Sequence, residues 1–569
     1  MTNNTTNSKF EEENKIMIRV IALVRSLAGK DWAKVVEFED MDGELKKLNI
    51  PFQTLLDARE LKKLLASNGF NFNLLTNELI KYIQNEAPKK RIRTLNKTGW
   101  VNEQDFVCPS FTVKTSKDNE EYELQRSGKH GFAQKGTLQE WRVEICKLCE
   151  GNTILTLALC ASLLGTGIEC LGIGNTIINL VGQSSIGKTT ALRVAASVWG
   201  EPKNFINQWR STSNALEATA QTYNETVLIL DELGQCQAKD VGEIVYMIGN
   251  AKGKSRLNQY AELKQNKEWR LAVLSSGEVA ITDKIMEAGG KVKAGQLVRC
   301  TDIDCHMSEE NGIYDTMHDD FENGADLSKY LNEQCSKYYG VVAEAFVRKL
   351  AIMSDESIKS KFNELRGEIK TKFKLANANG QVLRVADVFA ALALVGVLAC
   401  EFKIFTHRVF RPSEDQEMIY EIKDLIFQVF ERWLTARGTT QAVEDGAIVE
   451  HIKSFLFQSD NRFHQIERKD GKVTNESQFT INNRLGYCVK DYYDSRLKEV
   501  TYYFLSGVFS SEVCKGYNER IAKNTLKKKG LLVLDKDGSN PKAPAYVKEM
   551  AGKRVVTIVI KHEEENSGS

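Results

Sequence analysis

Residues 182–189 read Gly182-Gln183-Ser184-Ser185-Ile186-Gly187-Lys188-Thr189. They fit the P-loop pattern G-x-x-x-x-G-K-[ST] in full. The apolar run Ile177–Val181 before them has the length of a strand, and Thr190–Trp199 after them favours a helix that Gly200 and Pro202 end. The pattern therefore predicts a strand, a phosphate-binding loop and a helix, in that order.

The chemistry of such a loop follows from its residue types. Glycines let the backbone curl so that successive N–H groups face phosphate oxygens. Lys188 is expected to contact the β- and γ-phosphates, and Thr189 to offer its hydroxyl to Mg²⁺. We therefore predict that ATP and Mg²⁺ are the cofactors, and that residues 182–189 together with Thr190 bind the nucleotide.

A second strand supplies acidic groups. Val227-Leu228-Ile229-Leu230 predicts a buried parallel strand, and Asp231-Glu232 follow at its carboxyl end, where open α/β sheets bind ligands. Asp231 is expected to hold Mg²⁺ together with Thr189. Glu232 is expected to activate the attacking water as general base.

A third strand, Arg270–Leu274, ends in Ser275-Ser276-Gly277-Glu278. One serine at this strand end is expected to bind the γ-phosphate or the water, and Ser276 is favoured over Ser275. The alternative is an ordinary strand-to-helix cap.

The order of elements resembles an AAA+ module. The remaining core elements are predicted as a strand at Phe205–Trp209, helices at Asn214–Tyr223, Val241–Ile248 and Ile281–Ala288, and a last strand at Leu297–Ile303. A helical lid follows. AAA+ modules work as rings, in which an arginine from the neighbouring subunit completes each site.

Two arginines are candidates for such roles. Arg299, just beyond the fourth helix, is the candidate for the arginine that acts on the neighbour's nucleotide; the alternative is a surface arginine on a strand. Arg384 opens an apolar lid helix and is the candidate for a phosphate-sensing arginine. Its alternative is an arginine solvated at a helix start.

Two basic segments are candidates for DNA binding. Lys252, Lys254 and Arg256 lie on the outgoing arm of a predicted hairpin that returns through Lys267–Trp269. Such a hairpin in a ring pore would follow the phosphates of one DNA strand, whereas the alternative is a solvated hairpin. The second segment contains Lys89, Lys90, Arg91, Arg93 and Lys97. It either contacts nucleic acid or guards a strand edge.

Composition narrows the class of protein. The 569 residues are 42% hydrophobic with a net charge of +1, which excludes a disordered chain and a histone-like basic protein. The longest apolar run, Val388–Cys400, is too short to span a bilayer and predicts a buried helix. With a polar N-terminus and 12 scattered cysteines, the chain is expected to be cytoplasmic, without membrane contact and with free thiols. Cys146 and Cys149 lack partners at zinc-ligand spacing and are expected to be structural.

The predicted fold class is α/β, with an AAA+ P-loop ATPase core, a helical lid, an α+β N-terminal domain and a C-terminal winged helix. The N-terminal domain is predicted from strands at Trp32–Phe38 and Leu45–Ile50 and a helix at Ala58–Ser67, and the winged helix from a helix at Asn518–Lys529 and strands at Leu531–Leu534 and Arg554–Ile560. The predicted division is a polar tail (1–15), the N-terminal domain with a possible DNA or loading role (16–134), the AAA+ core (135–310), the lid (311–410), a helical linker (411–474), the winged helix (475–561) and a second tail (562–569).

From about residue 20 to 560 the chain resembles the bacterial DUF927 family, which includes MCM-like AAA+ helicases of mobile genetic elements such as staphylococcal pathogenicity islands. The segments that carry this resemblance are Ser184–Ala195, Trp209–Thr212, Asn214–Glu217, Leu230–Gln235, Ser275–Glu278, Ala294–Gln296 and Glu512–Gly516. The resemblance implies a homohexameric, self-loading replicative helicase with 3′-to-5′ polarity.

The functions that remain share the ATPase site. The first is an ATP-driven DNA helicase for replication of a mobile element, with single- and double-stranded DNA as partners and a primase or polymerase as a further candidate. The alternative is an AAA+ switch that remodels protein or DNA, for example in phage defence, without processive unwinding. A non-catalytic DNA-binding adaptor is disfavoured because Lys188, Thr189, Asp231 and Glu232 are all present.

Overall fold

The computed structural model describes residues 18–117, 120–125, 130–253, 267–287, 299–407, 422–438, 440, 443–477, 481–494, 496–505, 507–515, 517, 519–533, 544, 547 and 555–560. The chain divides into two compact units, Met1–Gly438 and Thr439–Ser569.

The first unit begins with a five-stranded sheet in the order β3-β2-β1-β4-β8. Its strands are β1 (Ile18–Ser26), β2 (Ala33–Glu39), β3 (Leu45–Pro51), β4 (Arg91–Leu95) and β8 (Glu121–Leu124). Helices α1 (Phe52–Leu55), α2 (Ala58–Ser67) and α3 (Asn77–Asn85) accompany it, and α2 and α3 bury their apolar side chains against one face of the sheet. The predicted strands and helix of this region are confirmed.

The basic segment around Arg91 does not lie at a sheet edge, so the edge interpretation is wrong. Strand β4 is hydrogen-bonded to β1 on one side and to β8 on the other. Arg93 is paired with Glu120, and Lys90 Nζ lies 2.7 Å from a carboxylate oxygen of Glu121. Acidic side chains at the start of β8 and just before it therefore neutralise part of this segment.

A three-stranded sheet connects this region to the core through a tight junction. It contains β5 (Gly99–Trp100), β6 (Asp105–Cys108) and β7 (Phe111–Lys114). The N–H of Trp100 donates to the buried carboxylate of Glu225 at 2.6 Å, and Asn224 Nδ2 donates to the carbonyl of Thr98 at 2.6 Å. A Cβ at Gly99, whose φ is +123°, would lie 2.1 Å from Glu225 Oε2. Only glycine fits this position.

The core is a parallel sheet in the order β10-β11-β12-β9-β13. Its strands are β9 (Thr176–Val181), β10 (Asn207–Gln208), β11 (Val227–Asp231), β12 (Ala272–Gly277) and β13 (Cys300–Asp304). Before and between them lie α4 (Leu138–Trp141), a π-helical turn (Arg142–Cys146), α5 (Lys147–Cys149), α6 (Thr153–Leu164), α7 (Ile168–Leu171), α8 (Lys188–Ser197), α9 (Pro202–Phe205), α10 (Ser213–Thr222), α11 (Ala238–Gly249) and α12 (Ile281–Glu287). The α/β prediction is confirmed for this sheet.

The core differs from the prediction in several strand boundaries, and the last strand begins at Cys300 and not at Leu297. The strand expected at Phe205–Trp209 shrinks to Asn207–Gln208, because Pro202 at the first helical position begins the short helix α9. Strand β12 runs on to Gly277, so Ser275 and Ser276 lie inside the strand and not in a turn after it.

Helices follow the core to the end of the first unit. They are α13 (Gly324–Lys337), α14 (Val341–Leu350), α15 (Asp355–Lys372), α16 (Gly380–Glu401) and α17 (Ile422–Arg437). By length and composition alone, the segments Thr153–Leu171 and Gly380–Glu401 could cross a membrane, but most of each is buried inside this unit. The apolar run Val388–Cys400 lies in α16 as a buried helix, as predicted.

The second unit differs from the predicted division of the chain. It contains α18 (Val443–Gln458), α19 (Glu519–Lys528) and a mixed five-stranded sheet in the order β15-β14-β16-β17-β18. The strands are β14 (Phe463–Lys469), β15 (Lys472–Glu476), β16 (Gly486–Tyr493), β17 (Arg496–Leu505) and β18 (Val555–Ile560). The predicted boundary at residue 475 would cut through the β14–β15 hairpin. The prediction placed most of this hairpin in a helical linker, whereas the structure forms strands there.

The sheet of this unit is larger than the small wing that the winged-helix prediction requires. The helix expected at Asn518–Lys529 and the strand expected at Arg554–Ile560 are present as α19 and β18. Leu531–Val533, however, do not form a strand, and Leu534 lies outside the described residues. Because β14 pairs in parallel with β16, the sheet depends on contacts distant in sequence.

All 12 cysteines lie in described parts of the chain and are free thiols, and all but Cys170 are buried. Burial raises the pKa of the Cys146 thiol to about 12. Within the described residues, no group of three or more His, Cys, Asp or Glu side chains is arranged to hold a metal ion.

Candidate nucleotide-binding site

A cavity of about 1080 Å³ opens at the carboxyl ends of β9, β11 and β12. The loop after β9 forms its floor, and Asp231, Glu232 and Ser276 line one side. Residues 306–312 and one face of α13 line the other side. The structure thus brings the predicted P-loop, acidic pair and serine to one site.

Backbone geometry holds the P-loop in its curled form. Ser185 and Gly187 have φ angles of +66° and +106°. Gly312 approaches the loop so closely that a Cβ there would lie 2.3 Å from the carbonyl oxygen of Ile186, and the N–H of Ile313 donates to that oxygen at 3.0 Å. The segment at residues 312–313 therefore braces the loop from outside.

The N-terminus of helix α8 is suited to bind an anion. Gly187 is its N-cap residue and no side chain caps the helix, so its first N–H groups face the cavity without a side-chain acceptor. Lys188 Nζ donates to the carbonyl oxygen of Gly182 at 2.7 Å. Burial lowers the pKa of Lys188, although Glu278 and Asp231 oppose the shift. A phosphate at this position would stabilise the charged amine.

The two serines of β12 have different surroundings. Ser276 Oγ donates to Asp231 Oδ1 and lines the cavity. Ser275 Oγ donates to Asn179 Oδ1 at 3.0 Å and accepts from Trp209 Nε1 at 2.8 Å. The preference for Ser276 over Ser275 therefore agrees with the geometry, because only Ser276 reaches the cavity.

Glu232 lies next to Asp231 in a left-handed backbone conformation, with φ +58° and ψ +66°. Its N–H donates to Asp231 Oδ1 at 3.1 Å, and its carboxylate accepts from the amide of Gln235. The side chain is exposed and lines the cavity. A non-glycine residue in this conformation costs about 1 kcal/mol, which the surrounding contacts must offset.

The residues present fit a magnesium–nucleotide complex. Lys188 and the uncapped N-terminus of α8 provide positive charge for phosphates. Thr189 is exposed at the same helix end, and the carboxylate of Asp231 faces the same cavity. A hydroxyl and a carboxylate are oxygen ligands of the type that Mg²⁺ prefers.

Sequence reasoning missed two cations of this cavity, Arg193 and Lys329. Arg193 lies in α8, four residues after the cavity residue Thr189, so helical periodicity places both on one face and could have indicated it. Lys329 lies in α13, which packs along α8. Ser328 Oγ would lie 3.5 Å from a Cβ at Gly187, so this part of α13 adjoins the P-loop. The place of Lys329 at the cavity depends on tertiary packing, so no local sequence pattern indicates it.

Neither of the two predicted arginines reaches the cavity of its own chain. Arg384 is exposed on α16, away from the cavity-lining residues. Arg299 precedes β13, and its carbonyl accepts from the N–H of Ile177 at the start of β9. Since β9 and β13 are parallel and the P-loop follows the end of β9, Arg299 lies at the opposite end of the sheet.

The predicted DNA-binding hairpin is described at its base alone. Lys252 and Glu268 form an antiparallel bridge, and the N–H of Gly253 donates to the carbonyl of Lys267 at 2.8 Å. Lys252 Nζ lies 3.4 Å from a carboxylate oxygen of Glu268. Lys254 and Arg256 lie outside the described residues.

The fold and the site together define a P-loop protein with a parallel α/β core. Residues 1–268 match the family described as "Domain of unknown function (DUF927)". The match covers slightly less than half of the chain, and over these residues it confirms the resemblance that the motifs indicated.

A solved structure, "SCCmec type IV Cch - active helicase", is similar with a TM-score of 0.65 and 16% sequence identity. The match covers 96% of this chain and 93% of that chain, which shows a shared fold. NtrX from Brucella abortus in complex with ADP matches with a TM-score of 0.17 and 11% identity over 52% of this chain and 66% of that chain, too low to carry an argument. No curated protein matches the sequence.

Proposed function

We propose that this protein is an ATP-dependent DNA helicase that unwinds duplex DNA for the replication of a mobile genetic element. The observation that carries the proposal is the convergence of Lys188, Asp231, Glu232 and Ser276 around one cavity at the strand ends. The shared fold with a protein described as an active helicase, along nearly the whole of both chains, supports unwinding as the use of that site.

In this proposal Lys188 and the N-terminus of α8 bind the phosphates. Thr189 and Asp231 hold Mg²⁺, and Ser276 orients the Asp231 carboxylate through its hydrogen bond. Glu232 accepts the proton of the attacking water. Bound Mg²⁺ would neutralise charge on the transferred phosphate.

The resemblance to MCM-like helicases of mobile elements implies a hexameric ring that loads itself on DNA and moves 3′ to 5′. Arg299 supports a ring, because its place at the sheet end opposite the P-loop suits a residue that serves a neighbour. Arg384 could likewise sense phosphate only in another subunit's cavity. The hairpin with Lys252, Lys254 and Arg256 would contact single-stranded DNA, and a primase or polymerase would be the replication partner.

The second unit is proposed to contact duplex DNA. The segment from Lys515 to Arg554 contains 11 basic and 4 acidic residues, in a chain that is nearly neutral as a whole. Local positive charge of this kind binds phosphate backbones without sequence preference.

Strand displacement on two labelled forks tests the proposal, one fork with a 3′ and one with a 5′ single-stranded tail, each with ATP and Mg²⁺. We expect unwinding of the 3′-tailed fork by the wild type and none by Glu232→Gln, the matched control. ATP hydrolysis without unwinding of either fork would contradict the helicase proposal and favour the remodelling switch.

A further inference from the structure

The side chain of Arg299 lies against one face of helix α11. A Cβ at Gly249 would lie 2.1 Å from Arg299 Cδ and 3.0 Å from Nε, so the arginine passes directly over this glycine. Its guanidinium carbon lies 5.7 Å from the centre of the Tyr246 ring. Residues 246 and 249 are three apart and therefore share one face of the helix.

The backbone of Arg299 is fixed as well. Its carbonyl oxygen accepts from the N–H of Ile177 at 2.7 Å, and Cys300 begins the paired strand β13. The main chain is thus held by the sheet, while Gly249 and Tyr246 direct the side chain along α11. An arginine whose path is set in advance loses less rotamer entropy when it binds an anion.

Tyr246 has no evident role in the core. Its side chain is 52% exposed, although neighbouring residues of α11 such as Val245 and Ile248 are fully buried. A large aromatic ring at an exposed position contributes little by burial. Its contact with a guanidinium is attractive because the ring face carries negative charge density.

We infer that Tyr246 and Gly249 are positioning residues that hold Arg299 ready for the nucleotide of a neighbouring subunit. This inference rests on the proposed ring ATPase and adds to it the two residues that aim the arginine. Tyr246 attracts the guanidinium, and Gly249 leaves the space through which the side chain reaches it.

The first test compares steady-state ATP turnover of full-length variants. Tyr246→Ala is expected to lower kcat about three- to tenfold with little change in KM, the size expected for loss of one cation–π contact. Tyr246→Phe keeps the ring and is expected to retain wild-type turnover. Gly249→Ala is expected to lower kcat because its Cβ displaces Arg299.

Two matched controls accompany these variants. Ile352→Ala truncates another exposed apolar side chain, which is 70% exposed. Gly367→Ala adds a Cβ to a helical glycine that has no atom within 4 Å of that position. Both controls are expected to keep wild-type turnover, and thermal unfolding of all variants checks that they fold.

The second test is a double-mutant cycle, which a purely structural role of Tyr246 would not satisfy. In an Arg299→Ala background, Tyr246→Ala is expected to cause no further loss of kcat, because the residue acts through the arginine. An equal further loss would overturn the inference, as would wild-type turnover of Tyr246→Ala beside an impaired Arg299→Ala. Wild-type turnover of Arg299→Ala itself would instead overturn the proposed role of the arginine, and the positioning role with it.

Discussion

Ser276 donates its hydroxyl hydrogen to the carboxylate of Asp231, so the ends of β12 and β11 are joined at one side of the cavity. The preceding residue, Ser275, bonds to Asn179 and Trp209. Successive side chains of a strand point to opposite faces, and this alternation separates two adjacent serines into one cavity residue and one core residue.

Replacing each serine by alanine is expected to produce different defects. Ser276→Ala should lower kcat for ATP about tenfold or more, because hydrogen bonds to charged groups contribute roughly 1.5–3 kcal/mol. Ser275→Ala should instead lower the unfolding temperature and leave kcat near wild type, since its partners lie in the core. Turnover measurements and thermal unfolding check the pair, and the opposite pattern would contradict the assignment.

Substitutions of Glu232 and Lys188 are expected to affect nucleotide binding and ATP hydrolysis differently. Glu232→Gln should retain nucleotide binding and lose turnover by at least about 100-fold, the size of a general-base contribution. Lys188→Ala should lose binding as well, because the principal cation of the P-loop is removed. Fluorescent-nucleotide titration beside turnover measures both, and wild-type turnover in Glu232→Gln would exclude it as the base.

The cavity cation Lys329 is expected to act within one chain. Lys329→Ala should weaken nucleotide binding several-fold even at protein concentrations where subunits are separate. Arg384→Ala should weaken it only where subunits assemble, because this arginine lies outside the cavity of its own chain. Nucleotide titrations across a dilution series distinguish the two variants, and a concentration-independent effect of Arg384→Ala would contradict its action between subunits.

The junction at Gly99 predicts a stability effect. Gly99→Ala should destabilise the first unit by about 3 kcal/mol or more, because its Cβ would overlap the carboxylate of Glu225 and its backbone conformation is strained for other residues. Gly172→Ala is the control: its φ is +63°, nothing lies within 4 Å of its Cβ, and about 1 kcal/mol is expected. Thermal unfolding compares them, and equal shifts would contradict the close packing at residue 99.

A buried histidine predicts a pH dependence of stability. Burial lowers the pKa of His407 from 6.5 to about 4. Between these values the unfolded chain binds a proton that the folded chain does not, so stability falls as the pH drops from about 7 to 4, by up to about 3 kcal/mol. Thr156 Oγ1 lies 3.0 Å from His407 Nε2, so the neutral ring has a hydrogen-bond partner.

His407→Gln should reduce this loss, because the group that takes up the proton in the unfolded chain is removed. Chemical denaturation at pH 7.5 and pH 5 measures the difference, and subtracting the wild-type values cancels the other titrating groups. His306→Gln, at an exposed position, is the control. An unchanged pH dependence in His407→Gln would show that the histidine is not buried neutral.

Local sequence patterns predicted the core because each of its chemical groups lies next in sequence to the strand that positions it. The strand that leads into the P-loop, the strand that ends at Asp231 and the strand that ends in Ser275–Gly277 each combine an apolar run with a polar end, and the parallel sheet brings those ends together. The bounds predicted for helix Ala58–Ser67 agree with the structure, in which Asp57 caps its first N–H groups and Gly69 follows its end.

What the sequence did not predict depends on pairing between distant segments. β14 pairs with β16, which lies beyond the β14–β15 hairpin, and nothing near Phe463 indicates that partner. Lys329 reaches the cavity only because α13 packs along the P-loop helix. The basic segment at Arg91 had the composition of an edge strand, but β8 covers it and supplies Glu121.

The pairing of β9 with β13 has a mechanical consequence for the proposed ring. Its paired positions, Ile177 to Val181, span roughly 15 Å between Arg299 at one end and the phosphate loop at the other. A hydrogen-bonded strand pair scarcely stretches, so it would fix the distance between Arg299 and the phosphate loop. That distance would in turn set the spacing between consecutive catalytic centres around the ring. Inserting or deleting one residue in either strand would therefore alter that spacing at every subunit boundary at once.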